Sequence, residues 1–250
     1  MRRVWPPVLL LALAVAAWEL VVRAFDVQDY VFPAPTAVAS SFDHDAALLW
    51  LATLVTLREV VLGYALAVIV ALAVAVAVHF SAALRRALLP ILVLSQTVPT
   101  VVLAPVLAIV LGYGLTPKLV VVAVVCFFPI VVNAVDGLRA TDGELIRMMR
   151  TLHGSRLAIF RRVEWPGALP AIFSGARIAA TYAAVGAVFG EWAGSTSGLG
   201  FVMLQAQPAL ETDRIFAAVL ILSALALGLY ALVTLAERLL VPWKSEVVNA

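Results

Sequence analysis

The sequence predicts an all-α, polytopic membrane protein with six transmembrane helices. Of its 250 residues, 64% are hydrophobic and 13% are charged, whereas soluble domains average about 45–50% apolar and about 25% charged residues. Six separate stretches approach the roughly 20 apolar residues that a helix needs to cross a bilayer. Most of the chain is therefore expected to contact lipid or other membrane helices.

The six predicted spans are mostly apolar, with charges near their ends, and cover approximately residues 4–22, 54–78, 88–111, 119–135, 171–190 and 215–236. The first span begins at Val4, after Arg2 and Arg3, and could instead be a signal peptide. Its apolar run exceeds the roughly 7–15 residues of a signal-peptide core. Because Glu19 and Arg23 follow it, we interpret it as a retained helix.

The third span is unusual because it contains three prolines, Pro90, Pro99 and Pro105. Each proline leaves a backbone carbonyl without its helical partner, and in a membrane that carbonyl must meet protein or a wet cavity. The third helix is therefore expected to be interrupted and to face the interior of a bundle.

The distribution of lysine and arginine predicts the orientation of the helices. If the N-terminus is cytoplasmic, most of the 17 Lys and Arg residues fall on the cytoplasmic side, from Arg2 to Lys244. Both termini are then cytoplasmic, and so is the polar, basic segment Thr141–Pro170, here termed the 141–170 loop.

The 141–170 loop has the pattern of two short helices. Thr141 and Glu144 have the spacing of a capping box, which predicts a helix start. Gly154 is expected to end this helix, and Ser155 to cap a second one over Arg156–Glu164 that Pro166 halts. An apolar stripe at helical spacing follows the first cap and consists of Leu145, Met148, Met149 and Leu152.

Two interpretations of this helix remain open on these grounds. It could lie on the inner leaflet with its arginines among the lipid phosphates. Alternatively, its methionines and leucines could fit a groove on a cytoplasmic partner, since methionine suits adaptable contacts.

The stretch RTLHGSRLAIFRRVEWPGALP resembles the cytoplasmic EAA loop of permease subunits of bacterial ABC importers. Arg147-Met148-Met149 stands at the EAA position, His153 at the glycine position, and Val163–Pro166 at the final Ile-x-Leu-Pro. The segments FPAPTAV, GYGLTPK, FFPIVVNAVDGL and GEWAGSTSGLG are similar to the nitrate/sulfonate/taurine-type permease family. VDGLRATDGELIRMMRTL looks most like permeases for thiamine-pyrimidine precursors.

This resemblance implies the type I ABC importer permease fold, with residues 1–250 as one transmembrane domain in the bacterial inner membrane. Family members pair with a second permease copy, two ABC ATPase subunits and an extracytoplasmic substrate-binding protein. ATP and Mg²⁺ then belong to the ATPase, and this chain binds no cofactor and is not an enzyme. The residues expected to couple to the ATPase are Leu145, Arg147, Met148, Met149, Arg150, Thr151, Leu152 and Gly154.

Polar side chains inside the spans are candidates for a substrate path between two permease copies, namely Gln96, Thr97, Thr100, Asn133 and Glu191. Each of the first four could equally form a hydrogen bond between helices. Glu191 could line the outer gate, dock the binding protein, or be a carboxylate in water at the interface.

Other chemistries find little support in the sequence. Cys126 is the one cysteine and lies in an apolar run, so a small buried hydrophobe is the favoured interpretation. Three scattered histidines and a net charge of +2 indicate neither a metal or catalytic site nor a nucleic-acid surface. An autonomous channel or secondary carrier is the alternative, but such carriers are expected to show internal repeats.

The sequence leaves two chemical classes of substrate as alternatives. A thiamine-pyrimidine precursor or related heterocycle is expected first, and sulfonate, taurine or nitrate-like anions form the alternative.

Overall fold

The computed structural model describes residues 5–243, and this described part is helical without strands. The expectations for Arg2, Arg3, Val4 and Lys244 lie outside the described residues. Within residues 5–243 the α-helices are α1 (Trp5–Ala24), α2 (Pro35–His44), α3 (Ala46–Phe80), α4 (Ala82–Ser95), α5 (Thr100–Leu111), α6 (Leu115–Arg139), α7 (Gly143–Thr151), α8 (Arg156–Ile159), α9 (Trp165–Trp192), α10 (Leu199–Ala206) and α11 (Thr212–Leu240). A π-helical turn, Phe160–Glu164, joins α8 to α9.

Four continuous helices in the described part are long and apolar enough to cross a membrane: α3, α6, Arg156–Trp192 and α11. The pair α4 and α5 makes a fifth if it counts as one span. The predicted all-α membrane architecture is confirmed. The first predicted span coincides with α1, but its crossing of the membrane stays a prediction.

The predicted interruption of the third span occurs at one of its three prolines. α4 and α5 meet at 104°, with Pro99 in an extended conformation (φ −62°, ψ 119°) directly before α5. Proline disfavours helical geometry in the residue before it, which explains a break at this position. Pro90 and Pro105 lie inside α4 and α5 without ending either helix.

The core is built around α6 and α9, which pack along each other, and α3 packs against both of them. Small residues permit this close approach, as is common between membrane helices. A side chain at Gly175 would meet the Pro129 carbonyl and the Asn133 Cβ atom. Cys126 is fully buried here and contacts the Ala179 carbonyl at 3.4 Å, which confirms the sequence interpretation.

The second helix of the 141–170 loop does not stop at Pro166 as expected. It runs from Arg156 to Trp192 as one continuous helix. The π-helical turn Phe160–Glu164 precedes the proline and changes the hydrogen-bond spacing there. Pro166 lies in the first turn of α9, where no regular i→i−4 donor is needed, so the helix passes through it. Pro170 lies inside α9 without ending the helix.

Large apolar side chains cover the outside of the bundle. Ile109 of α5 is 77% exposed and Leu239 of α11 is 72% exposed. Soluble monomers rarely expose apolar patches on this scale. These surfaces are therefore suited to lipid or to other membrane subunits.

Candidate functional site: a docking helix and a membrane cavity

α7 begins one residue later than the capping pattern predicted. Asp142, and not Thr141, caps the helix, because its carboxylate accepts the Glu144 N–H at 2.8 Å. The Thr141 hydroxyl instead donates to the Leu138 carbonyl at the end of α6. Asp and Thr are both favourable N-cap residues. The geometry of the loop therefore decides whether Thr141 or Asp142 caps the helix.

α7 exposes an apolar stripe that nothing in the described chain covers. Leu145 is 46% exposed, Met148 54% and Leu152 69%, while Met149 is half-buried. Arg147, Arg150 and Thr151 lie on the exposed surface of the same helix. Exposed leucine and methionine at helical spacing are what a helix needs to enter a groove on another protein.

The end of α7 forms a Schellman motif. The His153 N–H donates to the Arg150 carbonyl at 3.0 Å, and the Gly154 N–H donates to the Met149 carbonyl at 2.9 Å. The left-handed residue is His153 (φ 58°) and not the predicted Gly154. His153 thus has the backbone conformation that suits the glycine of the EAA pattern.

Gly154 is needed for a different reason. A Cβ atom at this position would lie 2.8 Å from the Met149 carbonyl oxygen. Gly154, one place after the glycine position of the EAA pattern, therefore avoids a clash with the last turn of α7, while His153 adopts the left-handed conformation.

The segment after α7 is fixed to the end of α3. Ser155 caps α8 as predicted, accepting the Ala158 N–H at 3.2 Å. The Arg156 guanidinium donates to the Phe80 carbonyl at 3.1 Å and lies 5.0 Å from the Phe80 ring centre. His79 and Glu164 meet at 2.9 Å, so a displacement of α7 would act on both α3 and α9.

A cavity of about 600 Å³ lies where the α4–α5 break faces α6 and α9. Gln96, Thr100 and Asn133 line it, so three of the five predicted path residues come together. Thr97 is outside the lining, and its hydroxyl donates to the Leu94 carbonyl at 2.8 Å. Phe128 and Tyr182 add aromatic surface, and none of the lining side chains carries a formal charge.

Glu191 is far from this lining and is completely buried. Its carboxylate accepts the Thr56 hydroxyl at 2.6 Å and the Gly200 N–H at 2.5 Å. The expectation of a carboxylate in water is wrong, because the loop after Trp192 folds back over it. A Cβ atom at Gly198 (φ 110°) would collide with this carboxylate, which explains a glycine there.

A buried ion pair lies beside Glu191. Lys118 of α6 donates to Glu59 of α3 at 2.7 Å and to the Ser195 hydroxyl at 2.7 Å. The sequence signal for this ion pair is Glu59 in the second predicted span, because an acidic side chain inside a membrane helix is rarely left unpaired.

The chain matches the family model described as binding-protein-dependent transport system inner membrane component over residues 63–246. A probable ABC transporter permease protein of Haemophilus influenzae is 39% identical over 228 residues, covering 91% of this chain and 93% of that protein. The formylaminopyrimidine transport permease protein of Halalkalibacterium halodurans is 30% identical, covering 96% of both chains. The fold also resembles that of a crystal structure of an amino acid ABC transporter with histidines, at a TM-score of 0.62 and 18% identity, covering 79% of this chain and 96% of that one.

The chain therefore belongs to the family of binding-protein-dependent inner membrane transport components. It is an ABC transporter permease subunit for small solutes, of the nitrate/sulfonate/taurine type, and a multi-pass protein of the inner membrane. Permease subunits of this class are not enzymes, and the partner ATPase hydrolyses the ATP.

Proposed function

We propose that two copies of this permease assemble with two ATPase subunits and an extracytoplasmic binding protein, and that α7 is the helix that each ATPase holds. The observation that carries this proposal is the uncovered stripe of Leu145, Met148 and Leu152, projecting from a helix with no buried residue. An inner-leaflet helix would share that stripe. The segment after α7 is bonded to the end of α3 through Arg156 and Glu164. These bonds favour a partner contact that transmits movement into the bundle over a helix that rests on lipid.

The proposed orientation places α7 and both termini in the cytoplasm. The lysine and arginine bias of the sequence supports it. ATP-driven closure of the ATPases would then draw the two α7 helices together, and the attached α3 and α9 would move with them. In this proposal residues 1–250 form one domain, the 141–170 loop is its coupling element, and the ATP and Mg²⁺ stay on the ATPase.

We propose the cavity at the α4–α5 break as the wall of the solute path. The Asn133 amide donates to the Pro129 carbonyl at 2.7 Å, which fixes its orientation and leaves its own oxygen as an acceptor. Gln96 and Thr100 add polar groups opposite aromatic Phe128 and Tyr182. This combination of aromatic faces and a few polar atoms suits a planar, uncharged solute.

The substrate class that the cavity supports is therefore an uncharged heterocycle. One relative is named for formylaminopyrimidine, which agrees with this chemistry. Sulfonate, taurine or nitrate-like anions are the second candidate, favoured by relatives named for aliphatic sulfonates and taurine. A buried anion needs a paired cation, and the described lining of the cavity supplies none.

The test of α7 is the double variant Arg150→Glu/Leu152→Asp, with co-purification of the ATPase as the readout. Both side chains are exposed, so the bundle should still fold. Because one carboxylate would enter the apolar stripe at Leu152 and the charge beside it at Arg150 would be reversed, we expect at least a tenfold loss of co-purified ATPase, corresponding to about 1.4 kcal/mol.

The matched control is Leu210→Asp, an equally accessible leucine at the opposite end of the bundle, 60% exposed. It should retain the ATPase in full. Full-strength co-purification of the double variant would show that α7 is not the docking helix.

A further inference from the structure

Two acidic side chains, Glu59 of α3 and Glu191 of α9, meet inside the bundle and are here termed the carboxyl pair. They lie toward the end of α9 that is remote from α7. Glu59 is 1% exposed and Glu191 is fully buried. Thr56, one helical turn before Glu59 on α3, donates to Glu191 at 2.6 Å, and Lys118 joins Glu59 to Ser195 in the loop after Glu191, so the two carboxyl groups are neighbours.

The hydrogen bonds of the carboxyl pair leave one oxygen without a donor. Both oxygens of Glu191 are used, by the Thr56 hydroxyl and the Gly200 N–H. Glu59 Oε1 accepts from Lys118, but Glu59 Oε2 is buried and accepts no hydrogen bond. A buried acceptor without a donor costs about 1–3 kcal/mol, and more if it is charged.

One cation of the described residues pairs directly with the two carboxyl groups, namely Lys118 of α6. Arg58, which precedes Glu59 on α3, is exposed, so water screens its charge. The loop after α9 contributes the Ser195 hydroxyl, and α10 contributes backbone N–H groups. Two ionised carboxylates in contact repel strongly where water is scarce.

We propose that Glu59 and Glu191 form a proton-binding site in which the two carboxyl groups share one proton. A proton between them supplies the missing donor to Glu59 Oε2 and removes one of the two negative charges. The remaining charge is matched by Lys118 at 2.7 Å.

The proton-binding site joins α3 to the turn between α9 and α10, and this contact is here termed the seam. Thr56 of α3 donates to Glu191 and accepts the Leu199 N–H at 2.9 Å, so the same groups hold α10 in place. Separating α3 from α9 would admit water, both carboxyls would ionise, and the proton would pass to that water. Acid therefore favours the closed seam, and a rise in pH favours its opening.

The proton site does not depend on the proposed function, which enters only in assigning the seam to the extracytoplasmic side. Its test is infrared spectroscopy of the full-length permease at neutral pH in dodecyl maltoside, a detergent that has no carbonyl group of its own. We expect the carbonyl stretch of a protonated carboxylic acid in the wild type, and its loss in both Glu59→Gln and Glu191→Gln. A glutamine amide can donate in place of the proton, so both variants should fold.

Asp29→Asn is the control, because Asp29 is exposed in a loop, and it should leave the band unchanged. The proposal is overturned if the wild type shows no such band, a measurement that needs no variant. It is equally overturned if the band persists in both glutamine variants. Failed α7 docking would leave this result untouched, so the two proposals fail separately.

Discussion

At the scale of single residues, the buried charged side chains of the described chain contact groups on other parts of the fold. Glu191 illustrates the point: its place beside Trp192 and a Ser/Gly-rich segment left an outer-gate residue, a contact of the binding protein and a carboxylate in water as alternatives. The structure instead encloses it with Thr56 and Gly200, residues that lie on different elements. Burial of a charge is acceptable in a membrane when hydrogen bonds replace the lost water.

A second buried charge gives a prediction at this scale. Arg177 of α9 forms an ion pair with Glu237 of α11, whose side chain is 7% exposed. Arg177→Met should lower the free energy of unfolding by about 1.5–3 kcal/mol, because it removes a charged partner of a largely buried carboxylate. The midpoint of thermal unfolding in detergent measures the effect.

The double variant Arg177→Met/Glu237→Gln is the comparison, since it removes both charges together. It should regain most of the lost stability. If the double variant is no more stable than Arg177→Met, the ion pair is not the source of the effect.

At the scale of helices, the contact between α6 and α9 depends on the absence of side chains. Gly175→Ala would place a methyl group against the Pro129 carbonyl and 2.7 Å from the Asn133 Cβ atom. Such overpacking typically costs about 1–3 kcal/mol. We expect a lower thermal midpoint, and also weaker transport because Asn133 lines the cavity.

Gly228→Ala in α11 is the matched control, because no atom lies within 4 Å of the added methyl group. Replacing a helical glycine in open space should stabilise by up to about 1 kcal/mol. Equal destabilisation by both changes would mean that helix packing is not the reason for Gly175.

At the scale of the whole molecule, the cavity of one chain is bordered by a helix with a largely uncovered surface. α5 contributes Thr100 and Leu103 to the lining, while its Val102 and Ile109 are 59% and 77% exposed. The proposal of two permease copies predicts that Thr100→Cys, at the cavity, links to the second permease with a bifunctional thiol reagent. Cys126 is fully buried, so the native thiol should not compete.

Leu235→Cys provides the control for this cross-link, since it is exposed on α11. The assembled transporter in lipid nanodiscs should give a cross-linked permease pair with Thr100→Cys and little with Leu235→Cys. Equal cross-linking at both positions would indicate random collision and contradict the proposed arrangement.

The membrane helices and the local features of the 141–170 loop could be predicted from the sequence. Long apolar stretches predicted the membrane helices, because a bilayer requires about 20 such residues per crossing. Helical spacing predicted the stripe of α7, and Ser155 predicted the start of α8. These features are local, since each depends on neighbours within a few positions along the chain.

The tertiary structure alone decided which groups meet across helices. Sequence spacing could not choose Asp142 over Thr141 as the cap, or place the left-handed turn at His153 and not Gly154. Nor could it show that Thr56, Glu59, Lys118 and Glu191 share one buried site, because their contacts join positions more than fifty residues apart. Local patterns determine helices, whereas packing in three dimensions determines which buried charges find partners.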